Sequence, residues 1–143
     1  MEKNLKKTVF FVIADDDTDD HHFIKEACQQ SDIHYEIESV YNGYQLLELL
    51  LQKGAYTNIQ RNVPDFILLD INMPFMDGYA VLEQLKIHDL TSIPVYILTT
   101  SSSIDDKLKV SAAGARGFYS KPVKAAELRQ IIEDVTVKTL EIQ

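Results

Sequence analysis

Ile67-Leu68-Leu69-Asp70-Ile71-Asn72-Met73-Pro74-Phe75-Met76-Asp77-Gly78 is the stretch on which the fold turns. An apolar run carries a single carboxylate out at its end, and Met73-Pro74 forces an exit before the acidic, glycine-containing turn Asp77-Gly78. Apolar residues at successive rather than alternate positions fit a strand buried on both faces, the kind that belongs to a parallel sheet. Such a strand presents Asp70 at its rim. On this stretch alone Asp70 is either a reactive group or a helix cap.

Working outward, residues 8–14 form a similar apolar, β-branched and aromatic strand that stops abruptly at Asp15-Asp16-Asp17-Thr18-Asp19-Asp20. Thr18 and its acidic neighbours suit a helix N-terminus and its dipole, and the cluster from Asp17 to His22 reads as a solvated helix start. The helix runs to about Ser31, with Phe23, Ile24 and Ala27 inward. Residues 34–40 alternate Tyr35, Ile37 and Ser39 against His34, Glu36 and Glu38, which fits an edge strand with one wetter side. Asn42-Gly43 marks a turn, and a leucine-rich helix follows over 44–53 until Gly54. Residues 55–63 have no clear period and read as a surface loop. A strand over 66–70 precedes a helix over 79–88, with Asp77 at its start. A strand over 93–99 precedes a helix from 104 that keeps Ile104, Leu108 and Ala112 in register, with Gly114 as its cap. A short strand over 116–120 is ended by Lys121-Pro122, and a final helix over 124–139 aligns Leu128, Ile131, Ile132 and Val135.

Five strand-then-helix units with short connections predict one α/β domain over 1–143, a parallel sheet with helices on both faces and right-handed crossovers. Residues 1–7 read as a tail, with no linker or second domain in the chain. The composition, 45% hydrophobic and 25% charged, is that of an ordinary globular chain. Fourteen basic against 22 acidic residues, net charge −8, argue against nucleic acid or an anionic membrane as partner. The lone Cys28 excludes an internal disulfide and reads as a small core residue. The apolar run after the charged start is too short for a signal sequence or a span, which predicts a cytoplasmic protein.

Ligands of open parallel sheets sit beyond the carboxyl ends of the strands. Here those ends carry Asp15-Asp16, Asp70, Thr99 and Lys121. Three close carboxylates repel one another unless a cation lies among them, and all-oxygen ligands suit Mg²⁺, with Mn²⁺ as a substitute. A Lys ammonium and a Thr hydroxyl suit a phosphoryl group on the open side of the metal. Asp70 then reads as a nucleophile forming an aspartyl phosphate.

Taken together, Asp15-Asp16, Asp70-x-Asn72-Met73-Pro74-x-Met76-Asp77-Gly78, Leu98-Thr99-Thr100 and Lys121-Pro122 resemble the receiver domain of two-component response regulators, across nearly the whole chain. The resemblance implies a flavodoxin-like (βα)5 fold with strand order 2-1-3-4-5. It also implies phosphoryl transfer to Asp70 from the phosphohistidine of a histidine kinase or phosphotransfer protein. Asp16, Asp70 and the backbone carbonyl of Asn72 would ligate Mg²⁺ directly and Asp15 through a water. Lys121 would pair with a phosphoryl oxygen, Thr99 would shift toward it, and Phe118 would be the aromatic coupled to that shift. The Lys121-Pro122 bond would be cis, and Thr100, Ser101 and Asn72 would tune access and hydrolysis. Chain length, the 55–63 loop and residues 98–102 further resemble receivers that serve phytochrome-like kinases.

The resulting expectation is a signalling phosphoacceptor, not an enzyme acting on other substrates, that switches a surface over residues 104–113, 116–120 and the last helix for a downstream protein. A second copy of the chain is a further candidate partner through residues 137–142, against simple fraying of that end. A haloacid dehalogenase-type phosphatase would place a second Asp where Asn72 stands. An FMN module would want a phosphate loop where the acids follow the first strand. A non-phosphorylated docking module is set against the complete set of Asp15, Asp16, Asp70, Thr99 and Lys121.

Overall fold

Five strands, β1 (Thr8–Ala14), β2 (His34–Val40), β3 (Phe66–Leu69), β4 (Val95–Thr99) and β5 (Gly117–Ser120), form one parallel sheet in the order β2-β1-β3-β4-β5. The computed structural model describes residues 8–57 and 63–142, with the backbone alone at 141 and 142. Helices α1 (Thr18–Gln29), α2 (Gly43–Leu51), α3 (Gly78–Ile87), α4 (Ile104–Ala112) and α5 (Ala125–Ile142) follow the strands in turn. This is the flavodoxin-like arrangement expected from the sequence, with element boundaries shifted by up to three residues. The first part of the expected 55–63 loop is a 3-10 turn at Gly54–Tyr56, and residues 58–62 lie outside the described set.

Side-chain alternation explains the two cores. Val9, Phe11 and Ile13 of β1 point to the face that also holds Phe66 and Leu68 of β3, Tyr96 and Leu98 of β4, and Ile24, Leu128 and Ile132 of α1 and α5. Val12 and Ala14, Ile67 and Leu69, and Val95 and Ile97 point the other way, onto Leu46, Val81, Leu82 and Val110. Successive Cβ atoms leave a strand on opposite faces, so strands with a core on each side must be apolar throughout. Truncating one of these fully buried side chains, such as Leu46→Ala, costs about 2–5 kcal/mol. Cys28 is buried in this packing, and burial pushes its thiol up to about 12.

The starts of α1 to α4 are fixed by side-chain caps. Asp17 accepts from the Asp19 N–H, Asn42 from Gln45, Asp77 from Ala80 and Ser103 from Asp106. Asp77 is thus a helix cap, as its place before Gly78 suggested. On α4 the residues expected in register, Ile104, Leu108 and Ala112, all lie exposed. Only Val110 of that helix is buried, whereas Ile104 and Leu108 are 75% and 64% exposed. A 3.6-residue repeat fixes that these side chains share a face but not which way the face points.

Candidate functional site

The carboxyl ends of β1 and β3 are paired, since Ala14 lies opposite Leu69 and the Asp70 N–H donates to the Ala14 carbonyl at 3.0 Å. Asp15 and Asp70 therefore emerge side by side. Asp15, Asp16 and Asp70 each offer an oxygen within 4.8 Å of the other two. Asp15 and Asp70 are buried and Asp16 is exposed. From β5, Lys121 reaches over the group, its backbone held by a 2.7 Å hydrogen bond from its N–H to the Thr99 carbonyl. Its Nζ lies 2.9 Å from Asp15 Oδ2, 2.9 Å from Asp70 Oδ2 and 2.7 Å from Asp20 Oδ2. The described residues contain no cis peptide bond, so Lys121-Pro122 is trans, contrary to the expected cis bond. Trans is the lower-energy form of an X–Pro bond, and from it the long lysine side chain reaches the carboxylates.

The electrostatics suit a cation. Burial pushes the Asp15 carboxyl up to about 6, against the lowering effects of the Asp17 N–H at 2.9 Å and of Lys121. Burial also works against the Lys121 ammonium, yet the Asp20, Asp15 and Asp70 carboxylates hold its pKa above the ordinary lysine value. One ammonium faces four carboxylates, those of Asp15, Asp16, Asp20 and Asp70. A hard divalent cation with oxygen ligands fits that surplus of negative charge. Asp70 keeps both oxygens engaged, Oδ1 accepting from the Asn72 N–H at 3.1 Å and Oδ2 from Lys121. A carboxylate has about four lone-pair positions, so each oxygen retains room for a further partner.

Thr99, at the end of β4, is completely buried, and its Oγ1 has no hydrogen-bond partner. A buried orphan hydroxyl costs about 1–3 kcal/mol, which asks for an explanation. Thr100 is exposed, and Ser101 donates to Asp106 Oδ2 at 2.7 Å. Asp106 also accepts from the Tyr79 hydroxyl, so the loop after β4 is moored to α3. Phe118 is half-buried against the core that contains Val110 and Ile97. The Asn72 side chain is exposed beside Asp70.

Two residues depart from the solvated helix start expected of the cluster after β1. Asp17 and Asp19 are exposed, but Asp20 pairs with Lys121 and His21 is buried. His21 lies with Nε2 2.8 Å from the Asp15 carbonyl oxygen and Nδ1 2.8 Å from Ser39 Oγ, and burial lowers its pKa. The signal was present in the phase of α1. Asp20, Ile24 and Ala27 fall at i, i+4 and i+7, and His21, Ile24 and Cys28 at i, i+3 and i+7, so both polar residues top the inward stripe.

Residues 11–133 match the model of the response regulator receiver domain family. The chain is similar to response regulator Rcp1 of Synechocystis sp., 31% identical over 135 residues that cover 94% of this chain and 89% of that one. It is 37% identical over 87 residues to the transcriptional regulatory protein PrrA of Mycobacterium tuberculosis, covering 61% of this chain and 37% of that longer one. Among solved structures, the phosphorylated cyanobacterial phytochrome response regulator RcpA superposes with a TM-score of 0.81 at 31% identity, covering 95% of this chain and 96% of that one. The Mn²⁺-bound form of response regulator Rcp1 superposes with a TM-score of 0.76 at 30% identity, covering 89% of this chain and 91% of that one.

Proposed function

Since the chain belongs to the response regulator receiver domain family, we propose that it is a phosphorylation switch whose acceptor is Asp70. The observation that carries this reading is the shared ammonium of Lys121, 2.9 Å from Asp70, beside two further carboxylates within metal-ligand reach. An Asp70 oxygen attacks the phosphorus of a phosphohistidine, the P–N bond breaks, and the imidazole nitrogen keeps the electron pair and takes a proton. Hydrolysis later returns Asp70 to the carboxylate and releases inorganic phosphate.

Asp15, Asp16 and Asp70, with the Asn72 carbonyl, would hold Mg²⁺, which supplies charge neutralisation for the transferring phosphoryl group. Lys121 binds a phosphoryl oxygen, and the orphan hydroxyl of Thr99 gains an acceptor once Asp70 is phosphorylated. Asn72 stands where a haloacid dehalogenase-type phosphatase would need a carboxylic acid, so the phosphoryl group stays on Asp70 as a signal.

The likeness to RcpA, described as a phytochrome response regulator, supports a phytochrome-type histidine kinase as the phosphodonor. The downstream partner docks on α4, β5 and α5, where Ile104 and Leu108 stand exposed on α4 and Val110, Arg116 and Phe118 line a cavity of about 170 Å³. No helix among the described residues is long and apolar enough to cross a membrane. A cytoplasmic location is in keeping with such a partner set. The test is incubation with Mg²⁺ and acetyl phosphate followed by intact mass. A single phosphoryl adduct that vanishes in Asp70→Asn is expected, and an adduct that persists in Asp70→Asn overturns the assignment.

A further inference from the structure

His21 lies in the first turns of α1, 1% exposed, and takes no part in the phosphoryl chemistry above. Its Nε2 is 2.8 Å from the Asp15 carbonyl oxygen. A carbonyl only accepts, so Nε2 carries the proton. Nδ1, 2.8 Å from Ser39 Oγ, is then the acceptor of the neutral ring, and the Ser39 hydroxyl donates to it. The Tyr41 ring tilts against the imidazole with centroids 4.5 Å apart. The Asp15 N–H donates to the Val40 carbonyl at 3.2 Å. Asp15 is thus held at its N–H by β2 and at its carbonyl by a side chain that β2 also holds.

That carbonyl belongs to the peptide unit joining Asp15 to Asp16. The unit is planar, so fixing its oxygen fixes the directions in which both residues continue from it. We propose that His21 is a positioning residue for the divalent-cation site: its Nε2–H sets the Asp15–Asp16 peptide plane and so aims the two carboxylates. The inference rests on the reading of those carboxylates as metal ligands. Groups that orient ligands from behind are known to matter for metal affinity, and their loss weakens binding about 10–100-fold.

The experiment titrates Mn²⁺ into the full chain and follows water-proton relaxation, alongside urea unfolding of each variant. Asp16→Asn should lose Mn²⁺ binding, which tests the metal site itself. His21→Phe keeps a ring but has no donor, and should bind Mn²⁺ about tenfold more weakly, whereas His21→Gln, whose Nε2 can donate to the same carbonyl, should stay within about threefold of wild type. A merely structural histidine would shift the unfolding midpoint of both variants and leave Mn²⁺ affinity alone, and that result overturns the proposal while the metal site stands. Wild type that binds no Mn²⁺ overturns both. If His21→Phe does not fold, Ser39→Ala frees the ring to turn and should weaken Mn²⁺ several-fold, and unchanged affinity there counts against the proposal. Nitrogen-15 imidazole shifts give a separate reading: Nε2 protonated and Nδ1 bare are expected, and the opposite tautomer overturns the assignment.

Discussion

Lys121 reaches Asp20 of α1 at 2.7 Å, a shorter distance than the 2.9 Å that separates it from Asp70. The lysine proposed to bind a phosphoryl oxygen is therefore shared between the proposed acceptor Asp70 and a helix that the acidic cluster alone would have assigned to solvent. Its ammonium is the counter-ion for a crowded group of acids of which Asp15 and Asp70 are buried.

Removing that counter-ion leaves buried carboxylates unpaired. Lys121→Met is expected to lower stability in EDTA by about 3–5 kcal/mol, the usual cost of breaking a buried ion pair from one side. Mg²⁺ should restore a larger share of stability to the variant than it adds to wild type. Urea unfolding with and without Mg²⁺ measures both, and equal Mg²⁺ effects would count against Lys121 as the resident counter-charge.

Asp15 gives a pH signature. Its carboxyl is raised by burial to about 6 in the folded chain, from an ordinary value of 3.8. Between those values the folded chain holds a proton that the unfolded chain has released. The contribution is fully present below about pH 4 and is lost as pH rises through about 6, amounting to on the order of 3 kcal/mol. In metal-free buffer the stability of wild type relative to Asp15→Asn should therefore fall across this window and level off above it. Saturating Mg²⁺ displaces the proton and should remove the fall.

Thr99 separates stability from signalling. Thr99→Val removes a hydroxyl that is buried without a partner, so stability should hold or rise by about 1 kcal/mol. On the proposed role of Thr99 the phosphorylated state would lose a charge-assisted hydrogen bond, and beryllofluoride, as a phosphoryl mimic, should bind about tenfold more weakly. An undiminished affinity would remove Thr99 from the site.

Gly78 is a matter of space. A Cβ there would stand 2.7 Å from the Ile71 Cα and 3.1 Å from the Asp70 carbonyl oxygen, both backbone atoms that cannot swing aside. Gly78→Ala is expected to cost about 1–3 kcal/mol and to displace the strand end that carries Asp70. Thermal unfolding and the acetyl phosphate adduct rate should fall together.

Much of this was legible in the chain itself. Continuous apolar runs at 8–14, 66–69 and 95–99 are what strands buried on both faces require, and alternation at 34–40 marked the edge strand. Parallel strands joined by helices bring their carboxyl ends to one rim, so the sequence alone gathers Asp15, Asp16, Asp70, Thr99 and Lys121 there. Periodicity also placed Ile104 and Leu108 on one face of α4.

The tertiary structure decided what depends on direction and on neighbours distant in sequence. Whether the α4 stripe meets the sheet or the solvent is set by how the helix docks, and Ile104 and Leu108 prove exposed. Asp20 and Lys121 are 101 positions apart, and their pairing exists only because β1 and β5 end on the same rim. The burial of His21 follows from the packing of α1 against β2, which supplies Ser39 to one ring nitrogen while the end of β1 offers a carbonyl to the other. Local pattern fixes which residues share a face, and only the packing of the elements fixes what that face meets.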